Sequence, residues 1–325
     1  MIVTKTPLRV SFFGGGSDIP EFYQENEGLC VSTTINSYIY LAVNRCVANH
    51  LKVVYSELEL TDDIENIKHN RVREVLKHYD LTSNMEICSF SDMPTKGTGL
   101  GSSSTFTVGL INAVHRIKYN KSIDQHTLAE LASYIEIEKC DEPIGKQDQF
   151  ASAYGGLREY RFNKYDVYTK PVPVSFFTLQ NLNNNILFFN TGINRLASSV
   201  LTEQVKNLKQ NINVSYTKTL VNMAENSIKF LESNKLNDFG ALLNDAWTVK
   251  KKLSSNVSNE RIDDMYDRCV KNGALGGKIL GAGGGGYLMV YVPEKQQNKV
   301  MNAMTEFKKV DFQFVSKGST IEMRS

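Results

Sequence analysis

An α+β fold in two domains is the architecture that the sequence predicts, on three observations. Strand-forming runs crowd the first half, long helical patterns dominate the second, and neither half shows the regular strand–helix–strand alternation of a doubly wound sheet. The chain has 325 residues, long for one compact core and comfortable for two. A Pro-containing connector, Val172 to Phe177, separates the halves, so the expected domains are residues 1–174 and 175–325.

In the first half, Ile2 to Phe13, Leu29 to Cys46 and Leu51 to Ser56 are rich in Val, Ile, Tyr, Phe and Thr and read as strands. Ile67, Val72, Val75 and Leu76 recur at helical spacing within a helix predicted from Ile64 to Tyr79. A strand over Asn84 to Phe90 leads into a Gly/Ser loop. A helix follows from about Ser103 to Lys118, with Phe106, Leu110, Val114 and Ile117 on one face. Further helices are expected at Thr127 to Cys140 and Gln147 to Tyr154, the second closed by Gly155-Gly156. Strands resume at Leu157 to Phe162 and Asn185 to Asn190. Beyond them lie helices at 197–211, 217–233, 236–254 and 260–272. Two short strands (277–281 and 286–292) then flank a glycine run, and a helix (295–308) with one or two strands closes the chain.

Composition narrows the function classes. Apolar residues make up 41% and charged residues 22%, the mix of an ordinary globular protein. A net charge of +2 supplies no global field for nucleic acid. The five cysteines are scattered, with no CxxC pair, which argues against a disulfide framework and a structural zinc site. The N-terminus lacks the pattern of a signal peptide and no run of about 18 apolar residues could span a bilayer. The expected location is the cytoplasm, without membrane or nucleic-acid partners.

Two glycine clusters carry the chemistry. Pro94-Thr95-Lys96-Gly97-Thr98-Gly99-Leu100-Gly101-Ser102-Ser103-Ser104 lies between a strand and a helix. Its glycines allow close backbone approach to an anion. The helix that the serines open would point free N–H groups and the positive end of its dipole at that anion. It is not a Walker A loop, since no Gly-Lys-Ser/Thr ends it. The bland reading is a flexible turn before a helix cap. The second cluster, Gly281 to Gly286, matches GxGxxG but enters a strand near the C-terminus. A dinucleotide fingerprint opens a helix in an N-terminal βαβ unit, so the nicotinamide-oxidoreductase reading fails on context.

Together the clusters make the chain resemble the GHMP kinase superfamily, which has three ordered motifs. The first is similar to Thr6-Pro-Leu-Arg-Val-Ser-Phe-Phe-Gly-Gly-Gly-Ser-Asp18, the second to Pro94–Ser104, and the third to Lys278–Gly286. One extra residue, Lys96 or Gly97, separates Pro94 from Gly99 relative to the commonest second motif. RVSFFGGGSD, GKQDQFASAYGG, NTGINRLASS and AWTVKKKLSS resemble the branch of D-glycero-D-manno-heptose 7-phosphate kinases. The resemblance implies an N-terminal domain like ribosomal protein S5 domain 2, a ferredoxin-like C-terminal domain, and ATP and Mg2+ as cofactors. The implied substrate is a small sugar or sugar phosphate, with the anomeric 1-phosphate as product, made for surface polysaccharide. A galactokinase- or fucokinase-like kinase and a non-catalytic sugar- or nucleotide-binding regulator are the alternatives.

The resemblance also distributes roles. Lys96, Gly97, Thr98, Gly99, Leu100, Gly101, Ser102, Ser103 and Ser104 would cradle the phosphates. Ser103 and Glu136 match the metal-ligand positions, with Glu138 as rival. The two glutamates point in different directions on one helix, so only one should face the loop. Asp148 would act as base or positioning carboxylate and Arg9 as the cation beside it. Gly15, Gly16, Asp18, Gly283 and Gly284 would bind the sugar. Arg195, before a predicted helix, is the candidate for a distal phosphate.

Overall fold

The computed structural model describes residues 1–94, 97–194 and 197–324. Its larger sheet is built on β1 (Ile2–Phe13) and β2 (Gly28–Arg45), which run antiparallel over almost their whole length. β3 (Leu51–Val54), β4 (Leu58–Thr61) and β5 (Met85–Ser91) extend it beyond the far half of β2, while β6 (Arg158–Phe162) and β7 (Val167–Pro171) extend it beyond the near half. The helices of this part are α1 (Pro20–Tyr23), α2 (Asn70–His78), α3 (Ser102–Tyr119), α4 (Gln125–Tyr134) and α5 (Gln147–Tyr154). α3 lies across β1 and β2, and its residues 104–114 are all buried.

β1 changes register between Pro7 and Arg9. Proline has no N–H for the ladder, and an irregularity of this kind re-aims the neighbouring side chain. The Arg9 N–H leaves the strand ladder and donates to the Leu100 carbonyl at 3.0 Å. The first strand is thereby tied directly to the Gly/Ser loop.

The second half contributes α6 (Phe176–Asn184), β8 (Ile186–Asn190), α7 (Ala197–Lys209), α8 (Val214–Glu232), α9 (Leu236–Lys250), α10 (Glu260–Lys271), β9 (Gly276–Ile279), β10 (Tyr287–Tyr291), α11 (Gln297–Ala303) and β11 (Lys309–Val310). Its sheet has the order β11-β8-β10-β9 with antiparallel pairs throughout. This is the ferredoxin-like order, with several helices in the first crossover. The two halves share one hydrophobic core. Phe239 of α9 packs edge-on against both Phe12 and Phe13 of β1, at 5.4 and 5.1 Å between ring centroids. Aromatic pairs of this geometry add to the stabilisation from area alone, and this one fixes α9 against the end of β1.

The fold is α+β, as the sequence predicts, and α5 begins and ends where its pattern does. Two differences matter. The connector expected at Val172 to Phe177 runs into α6, a helix that the sequence pattern does not mark. The last strands, β12 (Phe314–Val315) and β13 (Thr320–Arg324), return to pair with β2 and β1. The second half is therefore not a closed unit in sequence: its tail completes the first sheet. Such pairing between distant segments leaves no local signal. Among the described residues no helix is long and apolar enough to cross a membrane.

Candidate active site

The Gly/Ser loop is held open by three alternate glycines. Gly97, Gly99 and Gly101 have φ values of +74°, +73° and +76°, a region that side-chain-bearing residues disfavour. Gly101 is the N-cap of α3 and supplies no side-chain cap. The first-turn N–H groups of α3 have no partner within the helix, and no cap side chain takes them. The loop thus presents a row of donors and a positive dipole end to the cleft beside it.

That cleft has a volume of about 180 Å3. The loop lines one wall, β1 and its following turn a second, and the glycine run after β9 a third. Arg9 and Asp148 meet at its base. Arg9 Nε and Nη2 donate to Asp148 Oδ1 and Oδ2, both at 2.6 Å, and Nη1 donates to the Gly99 carbonyl at 2.6 Å. A two-pronged ion pair of this kind fixes both planes. The Arg9 side chain is 5% exposed and that of Asp148 27%, so the carboxylate is the member that still meets solvent. Asp148 stands in the first turn of α5, where the helix dipole also favours its charge.

Asp18 closes the turn after β1. Its Oδ1 accepts from the Gly16 N–H at 2.9 Å and its Oδ2 from the Gln147 N–H at 3.2 Å. Burial pushes its carboxyl pKa up, against the lowering effect of the Gly16 hydrogen bond. Asp18 therefore links the turn after β1 to the start of α5, one residue before Asp148. A Cβ on Gly145 would come within 2.1 Å of Asp18 Oδ2, so this approach requires glycine there.

Glu136 and Glu138 lie in one π turn, Ile135–Lys139, that continues α4. Such turns redirect side chains and recur at functional sites. Glu138 is exposed, while Glu136 is fully buried beneath the first turn of α3. Its carboxylate accepts from Ser104 Oγ and Thr107 Oγ1, both at 2.7 Å, from Gln149 Nε2 at 2.5 Å and from Arg71 Nε at 2.8 Å. The loop serine bonded to Glu136 is thus Ser104, whereas Ser103 stands exposed on the cleft side. Oxygen donors at the start of α3 suit a hard cation, but the Glu136 charge is already paired with Arg71 and Glu136 lines neither cavity. Glu136 would have to exchange one of its four donors to bind the cation.

A second cavity, of about 410 Å3, adjoins the first and shares Ser102 and Ser103 with it. Ile39, Tyr55, His69, Phe90 and Phe106 contribute to its walls, with Arg71 at one side. His69 stacks on Phe106 at 4.8 Å and meets Tyr55 edge-on at 4.9 Å. Burial, reinforced by the Arg71 charge, lowers the His69 pKa to about 4. This aromatic-lined slot, with Arg71 at one side, lies one helix turn from the loop and could take a planar group.

The structure gathers most of the expected residues. Arg9, Gly15, Gly16, Asp18, Gly97, Thr98, Gly99, Gly101, Ser102, Ser103, Ser104, Asp148 and Gly283 all line the first cleft. Leu100 does not: its side chain is wholly buried, its carbonyl accepts from the Arg9 N–H, and its own N–H donates to Thr98 Oγ1 at 3.4 Å. Gly284 turns away, its N–H bonded to the Val257 carbonyl at 2.8 Å, and Gly281, Ala282 and Gly285 line the wall beside Gly283 instead. Lys96 and Arg195 lie outside the described residues. Sequence reasoning missed Ser11, Gln147, Gln204, His69 and Lys250. None of these had a local signal, because each reaches its cavity only through tertiary packing, Lys250 from the buried phase of α9.

Residues 66–156 match the family model described as GHMP kinases N terminal domain, and residues 227–310 the model described as GHMP kinases C terminal. The chain is 30% identical to the D-glycero-alpha-D-manno-heptose 7-phosphate kinase of Campylobacter jejuni, over 98% of this chain and 97% of that protein. Among solved structures, a D-glycero-D-manno-heptose 1-phosphate kinase from Bacteriodes thetaiotaomicron superposes with a TM-score of 0.82, at 22% identity over the whole of both chains. A putative sugar kinase from Campylobacter jejuni superposes with a TM-score of 0.76, at 25% identity over 98% of this chain and 97% of that one.

Proposed function

The chain belongs to the GHMP kinase family and is an ATP-dependent sugar kinase, and we propose that it phosphorylates the anomeric hydroxyl of D-glycero-D-manno-heptose 7-phosphate. The product would be the 1,7-bisphosphate, a cytoplasmic precursor for surface polysaccharide. The observation that carries the catalytic part is the Arg9–Asp148 fork at the point where the phosphate loop meets the Asp18 turn. The choice of sugar is supported by the Campylobacter jejuni heptose 7-phosphate kinase, which matches over nearly the full length of both proteins.

In this reading the nucleobase occupies the aromatic slot around His69, and the phosphates pass over Ser102 and Ser103 into the loop. The loop N–H groups hold the β- and γ-phosphates. The sugar lies against Gly15, Gly16 and Asp18, its anomeric hydroxyl directed at Asp148. Asp148 accepts the hydroxyl proton as the new O–P bond forms, the bond from Pγ to the bridging oxygen breaks, and the electron pair leaves with ADP. Arg9 holds the Asp148 carboxylate in place through the two-pronged fork and offsets charge on the transferring group. Ser103 and Glu136 would hold Mg2+, with Glu136 giving up its hydrogen bond from Ser104. The ion would supply charge neutralisation on the phosphates.

The test is an ADP-release assay over a panel of heptose 7-phosphate, heptose 1-phosphate, unphosphorylated heptose, galactose and fucose, with the product position read by phosphorus NMR. Heptose 7-phosphate should give the highest kcat/KM and an anomeric phosphate signal. A preference for galactose, fucose or the 1-phosphate would sink the acceptor assignment.

A further inference from the structure

The cleft holds a second cation besides Arg9. Leu236, Phe239, Leu243, Trp247 and Lys250 form the buried stripe of α9. Four are apolar, and the fifth is a lysine at the end of the helix nearest the cleft. Lys250 is 6% exposed and lines the cleft wall. Burying an ammonium is costly unless it is paired, yet Lys250 has no ion-pair partner among the described residues. Asp18 and Asp148 act on it only at a distance, and among the described residues its Nζ donates to one acceptor, the Gly281 carbonyl. Lys278 offers a contrast. Its Nζ is committed to the Phe12 carbonyl at 3.1 Å, in the core, and it does not line the cleft.

The Gly281 carbonyl belongs to the seam between the two glycine loops, where a Cβ on Gly281 would meet Gly99 Cα at 2.7 Å. Arg9 holds the Gly99 carbonyl on the other side of that seam. Arg9 and Lys250 therefore grip adjoining backbone segments beside the phosphate cradle, and they repel each other. Arg9 has Asp148 as its counter-charge, whereas a buried ammonium facing a cleft without an ion-pair partner is tolerated where an anion binds beside it.

We propose that Lys250 is a second cation for the transferring phosphoryl group, reaching it from the C-terminal half while Arg9 reaches it from β1. The proposal rests on the sugar-kinase reading above. As the acceptor oxygen bonds to phosphorus and the bridging oxygen departs with its electron pair to ADP, Lys250 offsets charge on the equatorial oxygens and keeps its own proton. The charged and titratable groups facing it are Arg9 on β1, Asp18 in the next turn, Cys30 on β2, Asp148 on α5 and Lys278 on β9. Burial, then repulsion by Arg9, lowers the Lys250 pKa to about 8. The free enzyme therefore loses this cation as pH rises through about 8.

The experiment compares Lys250→Met, Lys250→Arg and, as control, Lys251→Met, an exposed neighbour paired with Asp263. ADP and the non-hydrolysable analogue AMPPNP are titrated calorimetrically, and kcat/KM is followed against pH. Lys250→Met should lower kcat by on the order of 10²-fold, as loss of one transition-state donor does. It should also weaken AMPPNP binding while leaving ADP affinity intact. Lys250→Arg should recover part of kcat and move the alkaline limb of kcat/KM upward, because a guanidinium stays charged. Wild-type kcat in Lys250→Met, or equal losses of ADP and AMPPNP affinity, would overturn the proposal in favour of a purely structural clamp on Gly281. If the Met variant does not fold, the alkaline limb of Lys250→Arg decides, and an unmoved limb overturns the proposal. A wild-type protein that phosphorylates no sugar would refute the sugar-kinase reading, whereas the two nucleotide titrations would still report on Lys250.

Discussion

Gly281 and Gly99 stand back to back. A Cβ on Gly281 would lie 2.7 Å from Gly99 Cα, and a Cβ on Gly99 would lie 2.2 Å from the Leu280 carbonyl oxygen. Two motifs 182 residues apart in sequence (281 − 99) thus touch backbone to backbone, with no room for a side chain on either. The phosphate loop is shaped from behind by the C-terminal half.

Gly99→Ala should therefore lower nucleotide affinity and turnover together by about tenfold or more. Both its φ of +73° and the Leu280 contact oppose a side chain, a strain of order 1–3 kcal/mol. Gly15→Ala is the comparison: a methyl group there would lie 3.8 Å from its nearest neighbour, Ser11 Oγ, and the φ of Gly15 is not positive. Thermal unfolding should show a lower Tm for the first variant and little change for the second. Equal Tm values would contradict the packing of the two loops.

Asp148→Asn should retain nucleotide binding and lose about 10² to 10⁴ in kcat, the usual worth of a placed acid/base group. Arg9→Met removes the fork and leaves the Asp148 charge short of its partner. Breaking such a pair costs about 3–5 kcal/mol when both members are fully buried, and less here because Asp148 is 27% exposed. Denaturant unfolding of both variants measures the cost. Both variants should be destabilised, Asp148→Asn because it leaves the 5%-exposed Arg9 guanidinium short of its charge partner, and wild-type stability in both would show the pair to be dispensable for folding.

Glu136→Gln tests the metal assignment. The substitution preserves shape but turns an acceptor-only group into one that also donates, against Ser104, Thr107, Gln149 and Arg71. If Glu136 holds Mg2+, the Mg2+ concentration for half-maximal activity should rise by about 10- to 100-fold, as at other metal sites that lose a supporting group. A variant with lower Tm but unaltered Mg2+ dependence would confine Glu136 to bracing α3.

His69 gives a pH prediction. Its pKa is about 6.5 when unfolded and about 4 here, because burial and Arg71 disfavour the cation. The unfolded chain binds the extra proton first, so the stabilisation is complete above pH 6.5 and is lost as pH falls towards 4. His69 Nδ1 accepts from the Val72 N–H at the start of α2, a role that asparagine fills well. His69→Asn should therefore flatten the fall in stability between about pH 6.5 and about pH 4, read by denaturant titration at stepped pH. An identical slope in both proteins would remove His69 from the acid response.

Local pattern determined a great deal on its own. The long strands β1 and β2, the helices α3, α5 and α8 to α10, and both glycine loops were legible because periodicity and glycine spacing are properties of neighbouring residues. Arg9, Asp18, Ser103 and Asp148 were legible as members of ordered motifs. Only the tertiary structure decided what no neighbour encodes. It returned β12 and β13 to the first sheet, turned Glu136 inward and Glu138 outward through one π turn, and set Gly284 against Val257 rather than the cleft. Lys250 shows the division most clearly. Its sequence, three lysines in a row, reads as a solvated helix end. The rotation of α9, fixed by Phe239 against Phe12 and Phe13, buries the first of the three beside the phosphate loop and leaves its neighbours Lys251 and Lys252 in water. Charge and spacing are written in the chain, but which face of a helix meets water depends on what packs against it.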